Sequence, residues 1–287
     1  METILSVADL KVSPPLDEYQ SRFVTNVRQC IGANWLARKP NLRILDTGCD
    51  TSGRQLWHLK QLTRGEVVGI NIPNDFPSDE AREVAGPGTS MFQMDGMELT
   101  FPDESFDMVV SANVMEHVPD TEAYIRQCAR VLKPSGVAYI ETAPVWSSAR
   151  GHHIMESMVK ADCPEETRFA DDGSVIPDWA HLKMSESELI EHLQTKLRLE
   201  TCDYIREIIY HSNVLNKTPW SRIKHALRHS FLDAKIMTWP IAGATPTEKP
   251  TDGKEDYDVY GFSVVGRKQT QGALAKRLCW RLRKWGL

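Results

Sequence analysis

An acid within a short apolar run and two glycines after the run mark a backbone turn that could hold a ligand. The run covers residues 44–47 and includes Asp46, and Gly48, Cys49 and Gly53 come directly after it. A glycine at such a position lets the backbone approach a ligand closely, and the start of the following helix offers unpaired N–H groups. The turn therefore predicts a site for a carboxylate or a phosphate, although two glycines also occur in ordinary tight turns.

Polar residues also follow the next two apolar runs. Asn71 ends the run 67–71, 25 residues after Asp46, where a side chain can hydrogen-bond a ribose hydroxyl. Asp95 and Gly96 follow a third short run, and a carboxylate there can accept a hydrogen bond from an exocyclic adenine amine. These positions predict a ligand that contains a nucleoside.

Two further motifs complete the series. The segment FDMVV at 106–110 runs into Glu116 and His117, and LKPSG at 132–136 is typical of a helix end that turns into the next strand. A nicotinamide-binding fingerprint needs a second glycine at a fixed spacing and an acid about 20 residues later. The chain lacks both the second glycine and the spacing of this fingerprint, which argues against a nicotinamide-dependent dehydrogenase.

The elements that must position these residues follow from the hydrophobic pattern. From residue 41 to residue 144, short apolar runs alternate with helical periods, which predicts parallel strands joined by right-handed helical crossovers. Such a doubly wound sheet binds ligands beyond the carboxyl ends of its strands. The predicted strands are 43–47, 66–71, 90–94, 106–112 and 136–142, and the predicted helices are 55–62, 78–84 and 121–132.

The regions outside this alternation are predicted less regular. Apolar residues at helical spacing predict a half-buried helix before the first strand. Residues 145–183 show no sustained hydrophobic period, and we predict that they form an inserted cover over the strand ends. Ser185 and Glu188 predict a capped helix, residues 197–205 a strand, and 258–267 a closing strand. The predicted organisation is an N-terminal helical segment (1–40), a ligand-binding α/β domain (41–144, 184–206 and 257–268), inserted cover segments (145–183 and 207–256, with a helical stretch at 220–231) and a C-terminal helix (269–287).

Taken in order, the motifs resemble those of the class I S-adenosylmethionine-dependent methyltransferases, specifically the small-molecule branch. The resemblance covers about a third of the chain, from residue 43 to residue 144, together with the last strands. It implies a mostly parallel, seven-stranded Rossmann-like sheet of the α/β class. It also implies S-adenosylmethionine as the cofactor and a small-molecule substrate.

The resemblance carries roles over to individual positions. Asp46, Gly48 and Cys49 would line the methionine and ribose, and Asn71 would meet the ribose. Asp50 and Ser52 stand where such enzymes usually have glycines, and Asn71 replaces the usual acid, so one ribose hydrogen bond is neutral rather than charge-assisted. The remaining implied cofactor residues are Asp95 and Gly96 at the adenine and Asn113 near the reaction centre.

Methyl transfer to a hydroxyl needs a base, and histidine suits proton removal near pH 7. The candidate catalytic residues are His117, which follows a strand, and His152, His153 and His181 in the inserted cover. His117 could instead only pack against the cofactor wall. Because this cover follows the strand ends, substrate contacts are expected there.

Aromatic and charged residues of the cover are candidate substrate contacts. Trp146, Arg150 and Trp179 suit a sugar ring, which stacks on an aromatic face while donors fix its hydroxyls; the tryptophans could equally fill a small core. The segments around Trp146 and Trp179 also resemble, more weakly, methyltransferases of bacterial glycan biosynthesis. The predicted reaction is therefore methylation of a sugar or glycan hydroxyl. One alternative is methylation of a carbon or nitrogen of a lipid, quinone or natural product. The other is that the protein binds the cofactor as a scaffold and has no catalytic activity.

Metal binding is a competing interpretation of these histidines. His152, His153 and His181, with Glu156, Asp171 and Asp172 nearby in sequence, could hold a divalent ion, but their spacing is not diagnostic. The six cysteines are scattered without a C-x-x-C pair, so neither disulfides nor a structural zinc site is expected. The prediction is an enzyme without a metal.

Composition and charge limit the kinds of macromolecule that this protein is expected to bind. Hydrophobic residues make up 41% and charged residues 25% of the 287 residues, which is ordinary for a globular protein. The net charge is −5, yet residues 259–287 carry seven Lys or Arg and no acid. The acidic body argues against nucleic acid. The basic, amphipathic 269–287 segment suits an anionic membrane surface, the body of the protein or a second copy, and a cytoplasmic location, in part peripheral at the inner membrane face, is expected.

Overall fold

The computed structural model describes five parts of the chain. The predicted C-terminal helix and the acids Glu156, Asp171 and Asp172 lie outside them. The described residues are 13–73, 76–154, 175–245, 249–253 and 255–268.

A seven-stranded sheet forms the centre of the described structure, in the order β3-β2-β1-β4-β5-β7-β6. Strands β1 to β5 are parallel, and β7 runs antiparallel to both β5 and β6. The prediction of a doubly wound, mostly parallel seven-stranded sheet is confirmed. The strands are β1 (Ile44–Thr47), β2 (Val67–Asn71), β3 (Thr89–Gln93), β4 (Phe106–Ala112), β5 (Leu132–Thr142), β6 (Phe231–Trp239) and β7 (Gly261–Lys268).

Helices connect and cover these strands. The helix α1 begins with a capping box, in which the Asp17 side chain accepts a hydrogen bond from the Gln20 N–H and the Gln20 side chain accepts one from the Asp17 N–H. The described helices include none long and apolar enough to cross a membrane. They are α1 (Glu18–Gly32), α2 (Arg54–Lys60), α3 (Asp79–Ala85), α4 (Thr121–Val131), α5 (Ala180–Lys183), α6 (Glu186–Gln194), α7 (Leu199–Arg206) and α8 (Trp220–Ser230), with 3₁₀ turns at Trp35–Arg38 and Met115–His117 and a π-helical turn at Glu207–His211.

Both faces of the sheet are buried, as parallel sheets require. Successive residues of a strand point to opposite faces, so Ile44 packs in one apolar cluster with residues of α1 and α2, while Leu45 packs in the other with residues of α4 and α8. Polar ligand-binding groups are therefore expected at the strand ends rather than on the faces.

The predicted strand at 197–205 is wrong, because these residues form α7. Its buried residues are Thr201, Cys202 and Ile205, a spacing of one helical turn. They pack with Leu189 and Leu193 of α6 in a third apolar cluster, apart from the two clusters that flank the sheet. Residues 184–206 therefore contribute helices and no strand.

The second predicted insertion, 207–256, contains an element of the sheet. The helical stretch predicted at 220–231 is confirmed as α8, which leads into strand β6. This strand pairs with β7 on one side only and is the sheet edge. Beyond Phe231 its residues alternate between half-buried and exposed, so the sequence lacked the apolar run that marked the central strands.

Candidate active site

A cleft of about 670 Å³ opens at the carboxyl ends of the parallel strands. Its position agrees with the expectation for a doubly wound sheet. Residues of the β1–α2 loop form one wall, and the loop after β4 forms another. The lining residues are Thr47, Gly48, Cys49, Asp50, Thr51, Ile70, Asn71, Ile72, Met94, Asp95, Gly96, Met97, Asn113, Val114, His117, Val118, Pro119, Tyr124, Asn213 and Val214.

The loop after β1 has a glycine where no other residue fits. Gly48 has a φ of 79°, and a Cβ atom there would lie 2.2 Å from Cγ2 of Val114. Its N–H and that of Cys49 donate to the Ile70 carbonyl at 2.8 and 2.9 Å. These two bonds attach the loop to β2 and leave its backbone exposed to the cleft.

Asp50 and Ser52 cap the start of α2. The Gln55 N–H donates to Oδ1 of Asp50 at 3.2 Å, and the Arg54 N–H donates to Oγ of Ser52 at 3.3 Å. The prediction that this helix start offers unpaired N–H groups is therefore wrong for these two donors, because polar side chains in place of the usual glycines already satisfy them.

Asp46 lies beneath this loop and is fully buried. Its Oδ2 accepts a hydrogen bond from Nε2 of Gln55 at 2.9 Å, whereas its Oδ1 has no hydrogen-bond partner among the described residues. Burial raises the pKa of Asp46 to about 7, the Gln55 bond acts against this shift, and the nearby Asp50 adds to it. The site therefore contains an acid with unmet capacity for a donor or a cation.

Asn71 and Asp95 both line the cleft, in different ways. The Asn71 side chain donates from Nδ2 to the Cys49 carbonyl at 3.0 Å and accepts from the Ile72 N–H at 2.8 Å, so it braces the β1–α2 loop. Asp95 is exposed and accepts from the Met97 N–H at 2.7 Å. Its neighbour Gly96 has no room for a Cβ, which would lie 2.7 Å from the Tyr124 ring.

The loop after β4 carries Asn113 into the cleft. Asn113 has a φ of 52° and donates its N–H to the Glu141 carbonyl at 3.0 Å. This left-handed conformation, which asparagine tolerates better than most residues, turns the chain into the 3₁₀ turn Met115–His117. All the residues that the resemblance placed at the cofactor therefore line the cleft, except Asp46, which lies buried next to Thr47.

Two imidazoles and a carboxyl group meet beside the cleft, where His117 belongs to the lining and Glu116 and His153 lie close to His117. Nδ1 of His117 hydrogen-bonds the Val214 carbonyl at 2.8 Å, and the ring centroids of His117 and His153 are 5.4 Å apart. Glu116 is buried and accepts a hydrogen bond from the Thr142 hydroxyl. Burial raises the pKa of Glu116 to about 8. Burial and the nearby His117 lower the pKa of His153 to about 4, so this imidazole is neutral at pH 7.

The other two histidines belong to a separate buried cluster. The ring centroids of His152 and His181 are 5.5 Å apart, and His181 hydrogen-bonds the Trp146 carbonyl through Nε2 at 2.7 Å. Burial lowers the pKa of both. Of the four predicted catalytic histidines, His117 lines the cleft, His153 lies against His117, and His152 and His181 form a buried pair that does not line the cleft.

The predicted substrate contacts lie with this second pair. Arg150 is buried in an ion pair with Asp178, with Nε and Oδ1 3.1 Å apart. Trp179 is only 2% exposed, so its ring has no open face for a sugar in this conformation. Trp146 is half-buried, with its ring against that of His181. None of the three lines the cleft.

Sequence reasoning missed three residues of the site. Glu116 had a signal, its position beside His117, but was not singled out as a functional residue. Asn213 and Val214 come from a loop that the fold brings over the cleft, where the Asn216 N–H donates to the Glu116 carbonyl at 2.8 Å. No local pattern marked this loop, because its role depends on a contact between residues about 100 positions apart.

Residues 45–140 match the family described as methyltransferase domain. The doubly wound fold and the glycine loop define a nucleotide-binding α/β domain, and the family match makes this part of the chain a class I, S-adenosylmethionine-dependent methyltransferase domain. S-adenosylmethionine is the methyl donor that the family implies. The resemblance noted from the motifs is thereby confirmed.

Three curated relatives are similar to the same part of the chain. Sterol 24-C-methyltransferase erg6 of Aspergillus fumigatus is 34% identical over 110 residues, which cover 37% of this chain and 29% of the relative. The 2-phytyl-1,4-naphtoquinone methyltransferase of Synechococcus elongatus is 32% identical over 115 residues, 38% of this chain and 49% of the relative. The 27-O-demethylrifamycin SV methyltransferase of Amycolatopsis mediterranei is 34% identical over 108 residues, 36% of this chain and 39% of the relative. The match thus spans less than half of each relative.

The residues of the cleft fit the cofactor that the family implies. Gly48 provides a backbone cradle that a Cβ would fill, and the unpartnered Oδ1 of Asp46 lies at its base. Asn71 and Asp95 supply hydrogen-bonding groups at the ends of the next two strands. Asp46, Gly48 and Cys49 would hold the methionine and ribose part, and Asp95 and Gly96 the adenine.

Proposed function

We propose that the chain transfers a methyl group from S-adenosylmethionine to a hydroxyl of a small molecule, with a sugar or glycan intermediate as the specific acceptor. The observation that supports this proposal is that one cleft brings together the predicted cofactor residues and a candidate base. The predicted cofactor residues lie along or beneath it, and His117 lines it next to the His153 imidazole and the Glu116 carboxyl group.

S-adenosylmethionine supplies, when bound, a methyl group that is already activated on a sulfonium. The protein then has to hold the acceptor in line and remove its proton. Nδ1 of His117 faces a carbonyl, which only accepts hydrogen bonds, so Nδ1 carries the ring proton and Nε2 has the free lone pair. His153 is neutral and has a buried Nδ1 with no described hydrogen-bond partner. An acceptor hydroxyl placed here becomes a nucleophile as its proton passes to an imidazole.

A second candidate function is methylation of a carbon or nitrogen of a lipid, quinone or natural product. Val118, Pro119 and Val214 line the cleft beside His117, and such an apolar rim suits an acceptor with apolar surface. The names of the sterol and naphthoquinone relatives support the same alternative.

The silent-scaffold alternative rested on the unusual Asp50 and Asn71. Both brace the loop in this structure, which supports an intact cofactor site.

Binding and turnover are tested separately. Titration calorimetry with S-adenosylmethionine and S-adenosylhomocysteine should show one site. Turnover is then followed as S-adenosylhomocysteine release with panels of glycosides, hydroquinones, sterols and amines. Binding without turnover on any panel would favour the scaffold alternative, and absence of binding would refute the proposal.

Histidine variants test the acceptor atom and the base. With a hydroxyl acceptor, His153→Ala should lower kcat by about 100-fold or more, whereas a carbon acceptor needs no such base before transfer. His181→Ala is the matched control, because His181 lies in the buried pair away from the cleft; its kcat should stay within about fivefold after correction for the folded fraction. Equal losses in both variants would contradict a role specific to His153.

A further inference from the structure

We propose that Glu116, His117 and His153 bind a divalent transition-metal cation beside the cleft. The site differs from the metal site considered from the sequence, which combined His152, His153 and His181, and shares only His153 with it. It also differs from the expectation of an enzyme without a metal.

The three side chains come from two separate parts of the chain and converge on one point. Glu116 and His117 belong to the 3₁₀ turn after β4, and His153 belongs to the cover segment after β5. One ligand atom from each lies within 4.8 Å of the other two. A cation with ligands at about 2.1 Å holds them about 3.4 Å apart in tetrahedral geometry, so small side-chain rotations, chiefly of the exposed His117, complete the site.

His117 and Glu116 are held by hydrogen bonds of the kind that orient metal ligands in proteins. Metal-binding histidines commonly donate their other ring N–H to a carbonyl or carboxylate. His117 does this through Nδ1 to the Val214 carbonyl, which leaves Nε2 as the ligand atom. Glu116 accepts from the Thr142 hydroxyl, and ligating carboxylates are likewise held by hydrogen bonds.

His153 adds two independent observations. Its Nδ1 is buried without a hydrogen-bond partner in the described structure, which is costly for a polar atom unless a ligand uses the group. Its φ is 54°, a left-handed conformation that is unfavourable for a residue with a Cβ. Such strain is concentrated at functional sites, and here it presents the ring to His117.

The ligand set indicates the class of cation. Two imidazoles and one carboxylate suit zinc, manganese, iron or cobalt, whereas magnesium and calcium prefer oxygen ligands alone. Three protein ligands leave coordination positions open, as in catalytic rather than structural sites. The inference rests on the proposed function in one respect: the cation, when bound, would lower the pKa of an acceptor hydroxyl that coordinates it. The hydroxyl proton would then pass to solvent water, because both imidazoles would be metal ligands and no longer free to act as bases.

Cation binding is measured on the full chain after removal of metal with EDTA. Zn²⁺, Mn²⁺ and Mg²⁺ are titrated by calorimetry, and Co²⁺ by its visible absorption. The measurements use a His225→Ala/His229→Ala background, because these exposed histidines lie one turn apart on α8 with ring centroids 6.1 Å apart and could bind transition metals adventitiously. We expect one equivalent of Zn²⁺ or Mn²⁺ and much weaker binding of Mg²⁺.

The ligand variants decide where the cation binds. His117→Ala should weaken Zn²⁺ binding by more than about 100-fold and should fold normally, since the side chain is exposed; Glu116→Gln should weaken it similarly. The proposal is overturned when no stoichiometric Zn²⁺ or Mn²⁺ binding occurs, or when His117→Ala leaves the Kd unchanged. A parallel titration with S-adenosylmethionine separates the hypotheses, because cofactor binding without cation binding refutes only this inference, and the reverse refutes only the proposed function.

Discussion

Asp107 lies at the amino end of β4, and Asp46 lies at the carboxyl end of the neighbouring strand β1. Both carboxylates are buried. Asp107 accepts hydrogen bonds from Nζ of Lys133 at 2.7 Å, from the Arg43 N–H at 3.1 Å and from Nζ of Lys39 at 3.2 Å. Asp46 accepts one from Gln55, and its Oδ1 is left without a partner among the described groups.

The difference shows what each end of the sheet does. Burial alone raises the pKa of an acid; at Asp107 the hydrogen bonds from Lys133, Arg43 and Lys39 outweigh it and hold the pKa below its usual value. At Asp46 burial prevails and the pKa rises to about 7. The amino end therefore uses its acid for stability, whereas the carboxyl end keeps an unsatisfied acid where a ligand can bind.

The largest change in stability is expected for Asp107→Asn. The amide cannot pair with two lysines, and the variant should lose about 2–3 kcal/mol of unfolding free energy at pH 7. Because the folded-state pKa is lowered, this stabilisation is present above the unfolded pKa of about 4 and disappears as the pH falls through the folded value. Urea unfolding at pH 7 and near pH 3 measures it; an equal gap between variant and wild type at both pH values would contradict the pairing argument.

Gly48→Ala should damage both stability and ligand binding. The new Cβ would meet Val114, and the positive φ adds backbone strain, so we expect a loss of about 2 kcal/mol in unfolding free energy and at least tenfold weaker S-adenosylmethionine binding. Gly32→Ala is the matched control, because a Cβ added there would have no atom within 4 Å outside its own helix and chain neighbours. The double variant Gly48→Ala/Val114→Ala removes the clash, so it should recover only the part of the lost stability and affinity that the clash causes. Full recovery in the double variant would show that the φ of Gly48 is unimportant.

Asp46→Asn should change stability in the opposite direction. Since the folded pKa is raised to about 7, the wild-type protein keeps its full stability below the unfolded pKa of about 4 and loses it as the pH rises through 7. The amide does not ionise, so without ligand the variant should be about 1–2 kcal/mol more stable than wild type at pH 8 while binding S-adenosylmethionine more weakly. Thermal unfolding at pH 5 and pH 8 and calorimetry at pH 8 measure these effects. A destabilised variant at pH 8 would show that Asp46 is ionised and satisfied.

The sequence predicted the central strands well because burial on both faces leaves a continuous apolar run. The strands around Asp46, Asn71 and Val109 are examples, and the polar residues predicted at the strand ends lie along or beneath one cleft. The error at 197–205 arose where apolar residues occur in a short stretch that fits either a strand or a helix, and the spacing of Cys202 and Ile205 is helical. Strand β6 was missed because an edge strand with one partner needs little apolar sequence.

The surroundings of His117 were harder to predict than the loops that carry Gly48 and Asn71. Local turns place Gly48 and Asn71, and such turns have sequence patterns. The contact between His117 and His153 joins two loops through the tertiary fold, and periodicity does not report such contacts. For the same reason His152, adjacent in sequence to His153, could not be assigned to a different buried cluster in advance.

The smallest effect is expected for Asn71→Asp, which introduces the acid that the family usually has there. Nδ2 of Asn71 donates to the Cys49 carbonyl, and an aspartate would place an acceptor against that carbonyl, so unfolding free energy should fall by about 0.5–1 kcal/mol. A carboxylate, however, makes charge-assisted hydrogen bonds to ribose hydroxyls. The two effects oppose each other in binding, and we expect the Kd for S-adenosylmethionine to change less than about threefold. Urea unfolding and calorimetry on the same samples test this; a tenfold loss of affinity would mean that bracing the loop matters more for the cofactor than the charge, whereas a tenfold gain would mean that Asn71 itself limits binding.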